Sequence, residues 1–198
     1  MEKSHNELRT QAVRVKLQKA LGSIVGEEAC GRVRSLAADT LGRLNDPKGA
    51  YKVLKVHLPT GKETAVGPVP LRVIQATGAL APDSAISTLT KLMEKAKDSN
   101  ASRFAAQALG KYGWSKQRSK VLSALAEYLR RLRPGGTNLK AGRAGGEAAR
   151  ERYQMLQQTM VASLRELTGR NELDTVDKWL EAWKKGKKKP AAMFTFER

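Results

Sequence analysis

The sequence has little of what metal-dependent, disulfide-linked or triad-based proteins need. Its 198 residues include one cysteine, which excludes a disulfide framework and a cysteine-based zinc cluster. The two histidines, His5 and His57, leave little material for a metal site or a catalytic triad. Aromatic residues make up 5% of the chain, which argues against an aromatic-rich β-sandwich and against a platform for stacking bases. Negative charge is also scarce, because 19 acidic residues face 37 lysines and arginines, for a net charge of +18.

Long apolar segments are missing as well. No stretch approaches the roughly 18 apolar residues of a membrane-spanning helix. The first residues, MEKSHNELRTQAVRVKLQKA, are charged throughout and lack the apolar run of a signal peptide. We therefore expect no membrane span and a cytoplasmic location, with a processed extracytoplasmic chain as the alternative. Hydrophobic residues make up 40% of the chain, enough for one packed domain or a short repeat array.

What the chain does contain is an internal repeat. Three segments, SLAADTLGRLNDPKGAYKVLKV, RVIQATGALAPDSAISTLTKLM and RFAAQALGKYGWSKQRSKVLSAL, align on Gly42, Gly78 and Gly110. Small or apolar residues recur at fixed offsets from each glycine: Ala38, Ile74 and Ala106 four before it, Leu44, Leu80 and Tyr112 two after it, and Val53, Leu89 and Val121 eleven after it. Each segment reads as an alanine-rich helix, a turn and a second helix. We expect the two helices of a pair to approach each other closely at the small residues.

A fourth, terminal unit follows, with Arg165 at the position of the glycine. Upstream, Leu8, Val13, Leu17 and Leu21 have helical spacing. The predicted organisation is therefore a capping helix or repeat remnant over 1–29, units one to three over 30–132 with a long loop at 57–70, a flexible glycine-rich basic insertion over 133–149, a terminal unit over 150–185 and a basic tail over 186–198.

This pattern resembles HEAT repeats, especially the short bacterial type with an R-x-x-A-A-x-x-L-G-x-L core. RSLAADTLGRLND and RFAAQALGKYG carry the resemblance most clearly, and LTGRNELDTVDKWLEAW is similar to the last unit of such proteins. The resemblance implies an all-α fold, a right-handed α-solenoid of three to four stacked helix pairs, with the second helices lining a concave surface. It also implies a binding scaffold more than any particular ligand.

The positive charge is concentrated on the predicted second helices. Offsets of six, ten, thirteen and seventeen residues from the glycine lie on one face of these helices, opposite the apolar positions. Lysines occupy many of these offsets, and two arginines extend the row. The predicted partner-binding residues are Lys48, Lys52, Lys91, Lys95, Lys116, Lys120, Arg130 and Arg131. A row of solvated lysines that only keeps the surface soluble is the alternative interpretation.

Three functions compete. The first is a non-enzymatic scaffold that presents this basic surface to an acidic protein segment or another polyanion. The second is sequence-independent nucleic-acid binding through the same lysines. The third is an enzyme, since HEAT-like folds include bilin lyases and alkyl-purine DNA glycosylases. The sequence carries no H-E-x-x-H, G-x-S-x-G or phosphate-loop motif. We therefore expect no catalytic residue, metal or cofactor, and we expect Trp114, Trp179 and Trp183 to be packing anchors.

Overall fold

The computed structural model describes residues 2–27, 30–44, 46–133 and 143–186, and these contain helices and turns but no strand. The all-α prediction is therefore confirmed for this part of the chain. The helices are α1 (Glu2–Gly26), α2 (Gly31–Gly42), α3 (Pro47–Leu54), α4 (Pro68–Leu80), α5 (Ile86–Lys95), α6 (Ser99–Gly110), α7 (Arg118–Leu132), α8 (Arg143–Thr168) and α9 (Val176–Gly186). Three 3₁₀ turns, Lys55–His57, Asp83–Ala85 and Lys111–Trp114, follow α3, α4 and α6.

The helix ends follow from local sequence. The carboxylate of Asp46 accepts a hydrogen bond from the Gly49 amide at 3.1 Å, and Pro47 fills the first helical position of α3. Asp98 caps α6 in the same way, through the Ala101 amide at 2.7 Å. At the other end of the chain, Gly169 follows the last residue of α8 with a φ of 72°, a conformation that ends a helix at little cost to glycine.

The helices alternate between two roles. The first helices α2, α4, α6 and α8 pack successively on one another, and the second helices α5 and α7 pack on the first helix that follows them. Apolar side chains between these layers form two clusters, one from α1 to α4 and one from α3 to α9. Because α4 contributes Val73 to one cluster and Ile74 to the other, the apolar interior extends through the whole set of helices.

The glycines of the repeat lie between units. A Cβ on Gly42 would lie 2.9 Å from the Ala76 Cα, one on Gly78 would lie 2.6 Å from the Ala108 Cα, and one on Gly110 would lie 3.0 Å from the Ser163 Cα. In each case the partner belongs to the next first helix, two residues before the aligned position. The expectation that the small residues bring together the two helices of one pair is therefore wrong. They bring together the first helices of successive units, whose backbones approach each other closely at these positions.

Two predicted irregular segments also differ from expectation. The loop predicted over 57–70 is shorter, because His57 ends a 3₁₀ turn and α4 already begins at Pro68. It is held in place: the second carboxylate oxygen of Asp98 accepts from the Val66 amide at 3.0 Å, and the Gly61 carbonyl accepts from the Lys97 amide at 3.0 Å. Of the predicted flexible insertion over 133–149, residues 143–149 are helical and belong to α8, since the sequence after them, rich in Arg, Glu, Gln, Leu and Met, is strongly helix-forming and extends the helix backwards. Residues 134–142 and the tail over 187–198 lie outside the described residues.

Candidate partner-binding surface

Six of the predicted binding residues form three lysine pairs with a spacing of four residues. Lys48 and Lys52 lie on α3, Lys91 and Lys95 lie on α5, and Lys116 precedes α7 while Lys120 lies in its first turn. All six side chains are exposed. We call this set, Lys48, Lys52, Lys91, Lys95, Lys116 and Lys120, the lysine ladder.

The apolar pattern of the second helices fixes the direction of these lysines. In α5 the side chains of Ile86, Leu89 and Leu92 are buried against the interior. The residues on the opposite side of the helix, among them Lys91 and Lys95, therefore face the solvent. The same holds in α3, where Ala50, Tyr51 and Leu54 are buried and the two lysines are not.

Side-chain contacts link neighbouring second helices to one another. The Tyr51 hydroxyl of α3 donates to the Thr88 hydroxyl of α5 at 3.5 Å. Arg131 of α7 forms an ion pair with Glu94 of α5 at 2.5 Å. Arg133, directly after α7, pairs with Asp177 of α9 at 2.8 Å. The lysines are thus carried by helices whose relative positions are fixed by direct contacts as well as by the interior.

The structure divides the eight predicted binding residues into two groups. Arg131 is paired with Glu94, and Arg130 is paired with Glu127 of its own helix at 2.7 Å. None of the six ladder lysines forms an ion pair with any residue in the described part of the chain. Like charges four residues apart on a helix destabilise it by roughly 0.2–0.5 kcal/mol per pair. The pairs on α3 and α5 therefore each carry a slightly unfavourable arrangement without an ion pair among the described residues to compensate it, and Lys116 and Lys120 repeat the spacing across the start of α7.

The two arginines could not be separated from the lysines by sequence. Glu127 was visible on the same helix face, but Glu94 reaches Arg131 from the preceding unit. Offsets within one repeat locate a residue on its own helix and carry no information on which acid approaches it from a neighbouring helix.

The ladder does not continue into the terminal unit. Lys178 of α9 is at the corresponding position, but it forms an ion pair with Asp174 at 2.8 Å. Lys185 on the same helix pairs with Glu181 at 2.6 Å. The uncompensated row of lysines is therefore a property of the first three units.

The three tryptophans also differ in how far they are buried. Trp179 and Trp183 are 1% and 6% exposed and pack in the interior, as expected of anchors. Trp114 is 75% exposed, so the prediction that it is a packing anchor is wrong. In the 3₁₀ turn after α6 the inward position is taken by Tyr112, which is fully buried and donates a hydrogen bond to the Pro82 carbonyl at 3.1 Å. Trp114 stands two residues before Lys116, at the end of the ladder.

The described residues contain two notable concavities away from the ladder. One, of about 450 Å³, lies beside α9 and is lined by Leu173, Lys178, Glu181 and Ala182. The other, of about 390 Å³, lies across α4, α6 and α8 and is lined by Gln75, Gln107, Lys111 and Glu166. The carboxylates in them are ion-paired to lysines, and neither concavity is lined by Trp114 or Trp183.

The described residues form neither a metal-ligand cluster nor a membrane-spanning helix. Within 2–27, 30–44, 46–133 and 143–186 there is no group of three His, Cys, Asp or Glu side chains placed to hold a metal ion. Burial lowers the pKa of His57 below its ordinary value of 6.5. No helix in these ranges combines the length and apolar character that crossing a bilayer requires.

Comparison with known proteins adds no relative. The chain matches no family model, and neither a curated protein nor a solved structure is significantly similar to it.

Proposed function

We propose that this chain is a non-enzymatic, HEAT-like α-solenoid that binds an acidic protein segment along the lysine ladder. The observation that carries the proposal is that six exposed lysines, paired at a spacing of four residues on three successive units, form no ion pair among the described residues. An acidic segment laid across the second helices would remove the repulsion within each pair and gain an attraction at every step.

The repeated contact at the glycines supports the solenoid. Gly42, Gly78 and Gly110 meet the next first helix at the same aligned position, two residues before the following glycine or Arg165. A contact that recurs at one register from unit to unit is what a regular stack of helix pairs requires. In such a stack the second helices form one continuous surface, and the ladder lysines would lie along it at regular intervals.

Sequence-independent nucleic-acid binding is the second candidate, and the exposed indole of Trp114 favours it. A tryptophan beside Lys116 offers one stacking position next to phosphate-binding cations. We rank it second because stacking proteins distribute aromatic side chains along the path of the strand, whereas the other two tryptophans are buried.

A binding titration at two salt concentrations tests the proposal and separates the candidates. The probes are a poly-glutamate peptide, duplex DNA and single-stranded RNA of matched charge. We expect saturable binding of the peptide and a loss of about fivefold in affinity for Lys91→Gln/Lys95→Gln, since two exposed ion pairs contribute roughly 0.5 kcal/mol each. Nucleic-acid binding would instead show tighter binding to DNA or RNA with a steeper salt dependence.

The matched control is Lys178→Gln/Lys185→Gln. It changes the net charge by the same amount, but it removes lysines that are already paired with Asp174 and Glu181. We expect it to bind the peptide nearly as tightly as the unaltered protein does. Equal losses in both double variants would indicate a response to net charge alone, and no binding of any polyanion at low salt would rule the proposal out.

A further inference from the structure

The first unit exposes an apolar position that is buried in every later unit. Nine residues before the aligned glycine or Arg165, the later units carry Val69, Ala101 and Leu156, which are 7%, 0% and 0% exposed. Val33 occupies this position in unit one and is 49% exposed. Leu36, three residues further along α2, is 65% exposed and extends this apolar patch at a position that is not buried in the later units either.

The small-residue contact is also missing on this side of α2. Ala76, Ala108 and Ser163 each receive the glycine of the preceding first helix and are 3%, 3% and 2% exposed. Thr40 is the corresponding residue of unit one. It is half-buried, no glycine of the described residues packs on it, and its hydroxyl donates to the Leu36 carbonyl of its own helix at 2.8 Å.

The reason lies in the position of α1. This helix packs on α2 and α3, as α5 packs on α6 and α7, so it stands where the second helix of a preceding unit would stand. Its Gln18 donates to the Asp46 carboxylate at 3.0 Å, and a Cβ on its Gly22 would meet the Val53 side chain. No helix of the described residues takes the place of a preceding first helix. Val33, Leu36 and Thr40 are therefore left as an open face, which we call the α2 face.

Two observations indicate what kind of helix fits this face. A first helix that packs on a following unit presents a glycine with a small or apolar residue four before it, so the occupant needs such a close-packing stripe. The surroundings are basic, since residues 10–27 and 30–44 hold six lysines and arginines against two acids, with Arg32 exposed on α2 and Arg43 exposed directly after it. A second copy of this chain would bring like charges together, and its terminal first helix carries Arg165 in place of the glycine.

We propose that the α2 face is a docking site for an acidic amphipathic helix of another protein that carries an Ala-x-x-x-Gly stripe. The helix would take the place of a first helix, with its glycine against Thr40, its apolar side chains on Val33 and Leu36, and its acidic flanks near Arg32 and Arg43. This site is separate from the lysine ladder and does not depend on it.

The experiment uses two fluorescein-labelled helical peptides of equal charge. Both carry glutamates on the outer side, and they differ only in having glycine or leucine at the stripe. We expect the glycine peptide to bind at least tenfold more tightly than the leucine peptide, because leucine prevents the close approach. Equal charge means that any attraction to the lysine ladder affects both peptides alike.

Variants of the whole chain then locate the site. We expect Val33→Asp/Leu36→Asp to abolish the preference for the glycine peptide, and Met155→Asp, which alters an exposed residue of α8, to leave it unchanged. Thr40→Leu fills the small position without adding charge and is expected to reduce the preference as well. Lys91→Gln/Lys95→Gln should retain it, which separates this site from the proposed ladder function.

Three outcomes would overturn the proposal: equal binding of the two peptides, no saturable binding of the glycine peptide, or a preference that survives in Val33→Asp/Leu36→Asp. Sedimentation of the protein alone adds a fourth. A dimer that Val33→Asp/Leu36→Asp dissociates would assign the α2 face to a second copy of this chain.

Discussion

The second helices α5 and α9 are similar in length and amphipathic character, yet Lys178 and Lys185 of α9 are ion-paired and, among the described residues, the lysines of α5 are not. On α9, Lys178 and Lys185 each follow an acid by four residues and form ion pairs with Asp174 and Glu181. On α5, Lys91 and Lys95 follow Ser87 and Lys91 at the same spacing and have no ion pair among the described residues. The terminal unit shows how an acid four residues before a lysine neutralises it in this fold. The lack of such an arrangement in unit two makes its lysines the stronger candidates for binding.

The same two units differ in their first helices. Gly78 of unit two lies against the backbone of α6, whereas the terminal unit carries Arg165 at this position. The glycine is needed where another first helix packs on the unit, and the arginine stands where no first helix of the described residues follows. The interior and terminal units therefore differ both in the lysines of their second helices and in the glycine position of their first helices.

Exchanging the residues at the glycine position gives the largest expected effect. Gly78→Arg would drive a long charged side chain into the α6 backbone, since even a Cβ lies 2.6 Å from the Ala108 Cα. We expect it to lower the free energy of unfolding by about 3 kcal/mol or more, because overpacking and burial of a charge both oppose folding. Arg165→Gly should cost only about 1 kcal/mol, the usual penalty of glycine within a helix. Urea denaturation measures both.

Gly67→Ala is the control for that exchange, since nothing lies within 4 Å of a Cβ at this position. It should stay within about 0.5 kcal/mol of the unaltered protein. Comparable losses for Gly78→Arg and Arg165→Gly would contradict the view that the first helices are held together at the glycines.

The helix that these glycines contact could not be predicted from the sequence. Spacing alone located most of the apolar positions: Ala38, Ala106, Leu89 and Val121 are buried, while Leu44 and Val53 are half-buried. It predicted that the glycines pack against the second helix of their own unit, whereas they pack against the first helix of the next unit. A periodic pattern shows that a residue faces another helix but not which helix that is.

The exposure of surface residues could be predicted where it depends on one helix, but not where it depends on contacts between units. The exposure of the ladder lysines on α3, α5 and α7 followed from the helix period, since each lies opposite an apolar face, whereas Lys116 lies in the turn before α7. Trp114 was misjudged because it shares a short 3₁₀ turn with Tyr112, and in such a turn packing of the preceding units decides which aromatic ring points inward. The ion pair between Glu94 and Arg131 joins residues from different units, so no offset within one unit predicts it.

Giving α5 the acid-to-lysine spacing that α9 has should change stability and peptide affinity by an intermediate amount. Ser87→Glu places an acid four residues before Lys91, in the orientation that Asp174 has toward Lys178. We expect the free energy of unfolding to rise by about 0.5 kcal/mol, through the new ion pair and the acid in the first helical turn. The affinity for poly-glutamate should fall about twofold for the same reason, because Lys91 is then neutralised within the protein.

Ser84→Glu adds the same charge in the 3₁₀ turn before α5, without a lysine four residues later. If it reduces the affinity as strongly as Ser87→Glu does, net charge and not the pairing of Lys91 controls binding.

The smallest expected effect concerns Asp174 and Glu181, the acids that pair with the lysines of α9. The hydrogen bond from Lys178 lowers the pKa of Asp174 below its ordinary value of 3.8, and the hydrogen bond from Lys185 lowers the pKa of Glu181 below 4.5. A lowered carboxyl pKa means that these contacts stabilise the fold above the ordinary values, and that the contribution is lost as the pH falls through the lowered ones. Carboxyl NMR titration of Lys178→Gln should show the pKa of Asp174 rising toward 3.8 while that of Glu181 stays low, because each lysine acts on its own acid. An unchanged pKa of Asp174 in this variant would mean that Lys178 is as free as Lys91, and the contrast between α9 and α5 would no longer support a special role for the lysine ladder.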